Sequence, residues 1–303
     1  QVGSITTPEP RMINIQVWDQ NNVALIDAAI KKSELGLNPQ IDGQLIRLPI
    51  PELNEERRTE LKKMIKLSPK LEVCVDTFAG LIAAVEGGAD RIELCSSLSE
   101  GGLTPSAGLM KAAAQTGIPC NVMIRPRTGD FKYCRHEIEI MSHDISNAHF
   151  YNLNGVVFGV EDGSGNLETK SIAYLMDQAR GLDTTLHRVV DVISDRFHAI
   201  DQAIEFGFDR ILTSGGAHNA VTGASEIAKM VEHADGNINI MPGGGINSRN
   251  IVKISQITNT SDFHSSCSIE RKVNSPNLFV QKATRITSAD EVRQMKAAIK
   301  TLM

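Results

Sequence analysis

From Leu71 onward, short apolar runs alternate with amphipathic stretches at a near-constant spacing. LEVCVDT, RIELCSS, PCNVMIRPR, GVVFGVE, TTLHRVVDV, RILTSGG, INIMPGGG and FHSSCS read as eight strands. FAGLIAAVEGGA, PSAGLMKAAAQTG, EIEIMSHDISNAHFY, KSIAYLMDQAR, ISDRFHAIDQAIEFG, ASEIAKMVEHA and SRNIVKISQIT separate them with helical spacing, and SADEVRQMKAAIK closes the chain. Eight βα repeats in about 230 residues predict an α/β fold, a TIM (β/α)8 barrel, whose usual length is near 250. Gly88-Ala89-Asp90 and Gly207-Phe208-Asp209 end helices just before strands, as αβ turns do. An open doubly wound sheet is the alternative, for which the strand count is high.

The first 66 residues have another texture and predict a small α+β fragment, with the barrel running from 67 to 303 and Leu67 to Lys70 as the boundary. RMINIQVWD and QLIRLPIP read as strands, Asn22 to Leu35 as an amphipathic helix stopped at Gly36-Leu37-Asn38-Pro39, and NEERRTELKKMIK as a charged helix. Asn54 is placed to cap that last helix, and Glu55-Glu56 at one end with Lys62, Lys63 and Lys66 towards the other complement its dipole. PEPRMINIQVWD, SELGLNP and IRLPIPELNEERRTEL resemble part of ribosome recycling factor, its hinge-proximal domain and the start of its long helix. The resemblance implies a partial domain without the helical bundle that engages the ribosome, so ribosome recycling or translation termination is the weakest of three functional expectations.

Composition narrows the class. With 41% hydrophobic residues the chain can bury a core, and its net charge of −5 gives no basic footprint for nucleic acid. No window reaches the length of a membrane span. Cys74, Cys95, Cys120, Cys134 and Cys267 are odd in number and form no CxxC pair, so they are expected to be reduced, in cytoplasm, with an organelle matrix or nucleus open. No leader-like stretch opens the chain; with a start at Gln1 rather than Met, a fragment or a processed form is the expectation, and targeting stays open.

Candidate chemistry gathers at strand ends, where barrels build their sites. Alternation sends Glu72, Cys74 and Asp76 to one face of the first strand, and Glu93, Cys95 and Ser97 to one face of the second. Arg125 and Arg127 end the third, His187 and Asp191 the fifth, Thr213 the sixth, and His264 with Ser266 shares a face of the eighth. Charges buried together there must pair or meet a ligand. Cys74 and Cys95 admit three readings: buried small hydrophobes, thiolate ligands for Cu(I), or a nucleophile activated by His187 or an arginine. Gly243, Gly244 and Gly245, followed by Asn247 and Ser248, are either a phosphate-binding loop or a tight turn with Asn247 or Ser248 capping the next helix. An anion held there would lie within reach of Arg125 and Arg127. Thr104 is expected to cap a helix that begins at Pro105. Cys267 should point out of the barrel, and His136, His143, His149, His198, His218 and His233 should be surface residues.

EVCVDT, GGADRIELCSSLSEGGLTPS, MIRPR.GDF.Y, GVVFG, HR..D, RILTSGG, MPGGGI and FHSS together resemble the CutC copper-homeostasis family along residues 71–303. The resemblance implies a TIM barrel, often oligomeric, linked to copper. It implies Cys74 and Cys95 as Cu(I) ligands, and Glu93, Arg125, His187 and Asp191 as a polar pocket with the look of an enzyme site. The chain departs from that pattern at Val189-Val190, where animal relatives tend to have Ala-Phe, and at Ser268, where many have Arg. Two functions are therefore expected of the barrel. One is Cu(I) handling through Cys74 and Cys95, with Asp76, Glu93 and His187 behind them. The other is catalysis on a small anionic metabolite, with Arg125, Arg127 and the Gly243 to Gly245 loop holding the anion while Glu93, His187 and Asp191 do the acid–base work.

Overall fold

The computed structural model describes residues 3–9, 12–32, 38–49, 69–272 and 283–302. The chain divides into two compact units, residues 1–67 and 68–303. The first holds strands β1 (Gly3–Glu9), β2 (Met12–Val17), β3 (Gln40–Asp42) and β4 (Leu45–Pro49) in an antiparallel sheet of order β1-β2-β4-β3. Helix α1 (Val23–Lys32) follows a 3-10 turn capped by Asp19. Alternation in β4 buries Ile46 and Leu48, and these join Val17 and Val23 in a small core of their own. β1 and β3 had no periodic signal to reveal them, since GSITTPE and QID lack an apolar alternation. The helix expected over 54–66, and Gly36 and Leu37 of the expected stop, lie outside the described residues.

The second unit carries eight parallel strands: β5 (Lys70–Val75), β6 (Arg91–Leu94), β7 (Cys120–Met123), β8 (Gly155–Phe158), β9 (Asp183–Leu186), β10 (Arg210–Thr213), β11 (Asn239–Pro242) and β12 (Asp262–Ser265). Their order, β11-β10-β9-β8-β7-β6-β5-β12, puts the last strand beside the first, and Asn239 Nδ2 donates to Asp262 Oδ2 (2.7 Å) across the remaining seam. This is the TIM barrel, nearly closed. Outward positions such as Leu71, Val73, Val75, Ile92, Leu94, Val122 and Phe158 are buried in one continuous core with the helices. Those helices are α2 (Phe78–Gly87), α3 (Ala107–Ala114), α4 (Arg135–Phe150), α5 (Thr169–Gln178), α6 (Arg196–Phe206), α7 (Ala224–Ala234) and α8 (Ile251–Thr258). A hairpin of β13 (Ser268–Lys272) and β14 (Ala283–Thr287) then leads into α9 (Ala289–Lys300). Val292, Met295 and Ile299 of α9 are buried, and Val292 fits only because Gly87 of α2 has no side chain.

The αβ turns do more than reverse the chain. Gly88 and Gly207 take left-handed conformations (φ +84° and +83°), and the aspartate two residues on accepts a backbone bond from the neighbouring strand: Asp90 from Leu71 N (2.7 Å), Asp209 from Thr184 N (2.8 Å). Strand register at the base is thereby fixed. Two expected caps fall elsewhere. Ser106 caps α3, while Thr104 Oγ1 accepts from Arg125 N (3.0 Å) and so ties two loops together. Asn250 precedes α8, and Ser248 is held by Glu291 of α9 instead.

Candidate functional site

Three adjacent strands build one wall of the barrel interior. In register, His264 of β12 lies opposite Glu72 of β5, Glu72 opposite Arg91 of β6, and Cys74 opposite Glu93. All five are buried, and four of them form a chain of opposite charges. Arg91 pairs with Glu72, Glu72 Oε1 meets His264 Nδ1 at 2.9 Å, and His264 Nε2 stands 3.6 Å from Glu93 Oε2. Asp262 adds a second carboxylate 3.7 Å from Arg91. Burial alone would raise both glutamates, but Arg91 and His264 outweigh it at Glu72, whose carboxyl is held well below the usual range. At Glu93, burial and the charge of Glu72 prevail over His264 and raise it. Burial opposes protonation of His264, yet Glu93, Cys74 and Glu72 together keep its imidazolium favoured far above the ordinary histidine range.

The ligand atoms of Cys74, Glu93 and His264 lie within 4.8 Å of one another. A thiol, an imidazole and a carboxylate so close suit a soft or borderline metal ion, and Glu72 on the far nitrogen of His264 is the usual support of a ligating histidine. Cys95 stands just behind this group. Its Sγ donates to Glu93 Oε2 (3.5 Å), and burial followed by Glu93 raises its thiol well above the ordinary value. Gly102 (φ +88°) backs the sulfur so closely that a Cβ there would lie 3.2 Å from it. Of the residues expected behind the two cysteines, Asp76 accepts from Leu98 N (3.0 Å) and its charge helps raise the Cys95 thiol, whereas His187 lies on a second wall with Arg125.

That second wall is cationic. Arg125 is 6% exposed, and its two terminal nitrogens are spent on the carbonyls of Glu100 (2.8 Å), Gly102 (3.2 Å) and Gly129 (2.8 Å). His187 is 3% exposed and accepts from Val189 N at Nδ1 (3.2 Å). Burial, followed by the charge of Arg125, drives its pKa down to about 3. Phe131 packs on both, its ring 4.6 Å from the imidazole and 5.0 Å from the guanidinium carbon.

Alternation failed where it was extended beyond true strand ends. β7 stops at Met123 and β9 at Leu186, so Arg127 and Asp191 sit on loops beyond the strand ends. Arg127 is held by Asp130 (3.0 Å) and Glu137 (2.5 Å) and does not share the cavity with Arg125. Asp191 lies on a 3-10 turn and accepts from Thr213 Oγ1 (2.6 Å), Gly216 N (3.0 Å) and Arg188 Nε (2.8 Å), which makes it a fastener of two loops. Gly243 packs its Cα against Leu212 and His264, leaving no room for a side chain, whereas Gly244 and Gly245 (φ +90° and +77°) line the cavity. Cys267 faces outward onto Met295 as expected.

Both walls border one cavity of about 320 Å³ at the C-terminal mouth, with Cys74, Glu93 and His264 on one side and Arg125, Phe131 and His187 on the other. Sequence reasoning missed Arg285 of β14, which donates to Ser268 Oγ (2.9 Å) and O (2.7 Å) and lines the rim. It places a guanidinium on the very residue where an arginine had been found lacking.

Residues 69–269 match the model of the CutC family, and residues 1–70 that of ribosome recycling factor. The family protein CutC of Agrobacterium fabrum is 48% identical over 198 residues, which cover 65% of this chain and 79% of the relative. That of Sinorhizobium medicae is 44% identical over 236 residues, 77% of this chain and 96% of the relative. The crystal structure of CutC from Streptococcus agalactiae, named for copper homeostasis, matches with a TM-score of 0.63 at 34% identity, covering 65% of this chain and 98% of that one. Thiamine phosphate pyrophosphorylase from Pyrococcus furiosus, at 15% identity and a TM-score of 0.51, shares the fold alone.

Proposed function

This chain belongs to the CutC family, and from that premise we propose that its barrel is a copper-handling protein that takes Cu(I) as cargo at Cys74 and His264. The observation that carries the reading is the buried Cys74–Glu93–His264 group with Glu72 fixed on the outer nitrogen of the imidazole. Soft sulfur and imidazole donors favour Cu(I), while the hard carboxylate of Glu93 is the poorest match of the three. Glu93 instead receives the thiol proton of Cys95, so Cys95 is a reserve sulfur, released to the metal when that hydrogen bond breaks. The pairing of Cys74 with Cys95 expected from the family thus becomes Cys74 with His264 first and Cys95 second.

Anaerobic titration with Cu(I) against a competing chelator tests this. Cys74→Ser and His264→Gln are each expected to weaken binding by about 10–100-fold or more, the range that even outer partners of metal ligands command. Affinity equal to that of the unaltered protein in both variants would sink the proposal. Zn(II) titration in parallel checks the softness argument, since a site preferring Zn(II) would be using Glu93 as a true ligand.

A further inference from the structure

Copper leaves the second wall unexplained. Arg125 is a buried cation with no carboxylate within ion-pair distance among the described residues, and its hydrogen-bonding side-chain neighbour there is the neutral Tyr133 hydroxyl. A guanidinium kept from water without a counter-charge costs several kcal/mol. Beside it, His187 accepts from Val189 at Nδ1, so the neutral ring carries its proton on Nε2. That Nε2 is buried without a partner. The Tyr133 hydroxyl lies against the Arg125 guanidinium but brings it no counter-charge. Native proteins rarely bury such groups unsatisfied, and each instance calls for a reason.

Arg125 and His187 line the same cavity. Phe131 is half-buried, lines the cavity, and covers both the His187 ring and the Arg125 guanidinium. Gly159 gives the imidazole its place, since a Cβ there would lie 2.9 Å from the ring. The arginine is fixed by three backbone carbonyls, so it cannot turn to find an anion within the protein. Both are pre-positioned donors of the kind that recognise an oxyanion without reorganisation.

We propose that Arg125 and His187 form a binding site for a small organic oxyanion, a carboxylate or phosphate group, which enters from the cavity by displacing the ring of Phe131. The anion supplies the missing counter-charge to Arg125 and accepts the Nε2 proton bond of His187. Its remaining atoms lie in the cavity towards Glu93, whose Oε1 is likewise buried and unpartnered. Arg125 and His187 are not among the donors assigned to copper, and the test runs on copper-free protein.

Long-range 15N imidazole spectra of the whole chain, titrated separately with acetate and with inorganic phosphate, read the His187 nitrogens directly. The expected result is a saturable shift at His187 Nε2 that keeps the Nε2–H tautomer. His187→Leu, monitored by calorimetry, is expected to lose at least tenfold in affinity, and Phe131→Ala to bind with a faster on-rate. The anion that binds more tightly assigns the head group as carboxylate or phosphate. Should Arg125→Gln fail to fold because its loop clamp is lost, His187→Leu still decides the matter, because it leaves that clamp intact. Absence of a saturable shift with either anion in both the unaltered protein and Phe131→Ala, or unchanged affinity in His187→Leu, overturns the proposal.

Discussion

Two histidines face one cavity and are driven in opposite directions. His264 sits among carboxylates and a thiol, and is held as an imidazolium. His187 sits beside an arginine in a dry pocket and is held neutral. Both are buried, so burial cannot explain the difference. What differs is whether the neighbours complete the charge. On the first wall every charge has an opposite within contact distance, whereas on the second the cation stands alone among the described residues. A self-compensated wall is stable as it stands and can exchange one proton for a soft cation. An uncompensated wall is built for an anion it does not itself contain.

The comparison is broken most severely by removing one member of the compensated wall. Arg91→Met takes the guanidinium from both Glu72 and Asp262, leaving Glu72 only His264 as partner, and is expected to cost about 3–5 kcal/mol in denaturant unfolding. Arg91→Met combined with Glu72→Leu should recover much of that loss, and a double variant no better than the single would show the pair is not the unit. The next effect is on pH. His187 has a folded pKa near 3 against an ordinary 6.5, so the unfolded chain binds the extra proton and stability falls as pH drops from 6.5 towards 3. His187→Gln should flatten that part of the stability profile, and an unaltered slope would deny the residue its buried neutral state. His264 contributes with the other sign, stabilising at low pH and losing its contribution as pH rises through its elevated value.

Smaller still is the split between the cysteines. Cys95→Ser should weaken Cu(I) binding several-fold, less than Cys74→Ser, because only Cys74 shares the close group with His264. Equal losses measured against the same chelator would restore the symmetric pair of thiolates. Least of all, Arg127→Ala should leave unfolding and anion titration unchanged within error, since its ion pairs are on the surface.

Much of this was legible in the residues. A two-residue period within β5 and β6 places Glu72, Cys74 and Glu93 correctly, because side chains of a true strand must alternate. The same rule misplaced Asp191 and Arg127, since neither lies on a strand, and nothing in VVDV or RPRTGD announces that the ladder has already ended. Arg285 was invisible for a different reason: its neighbour Ser268 is reached through a hairpin whose pairing no local pattern reveals. His264 was seen as an inward residue but not as the partner of Cys74, because alternation gives the face of a strand and says nothing about which strand lies beside it.

That neighbour relation has a temporal side. Glu72 and His264 are 192 positions apart, and they meet only because the last barrel strand closes against the first. During synthesis Cys74 and Cys95 emerge long before the imidazole of His264, so a half-made chain offers thiols without the histidine. Loop closure over so long a span is slow and comes late. Capacity to hold the ion is therefore a property of the finished ring, and metal retention would report, chain by chain, which molecules had completed their fold.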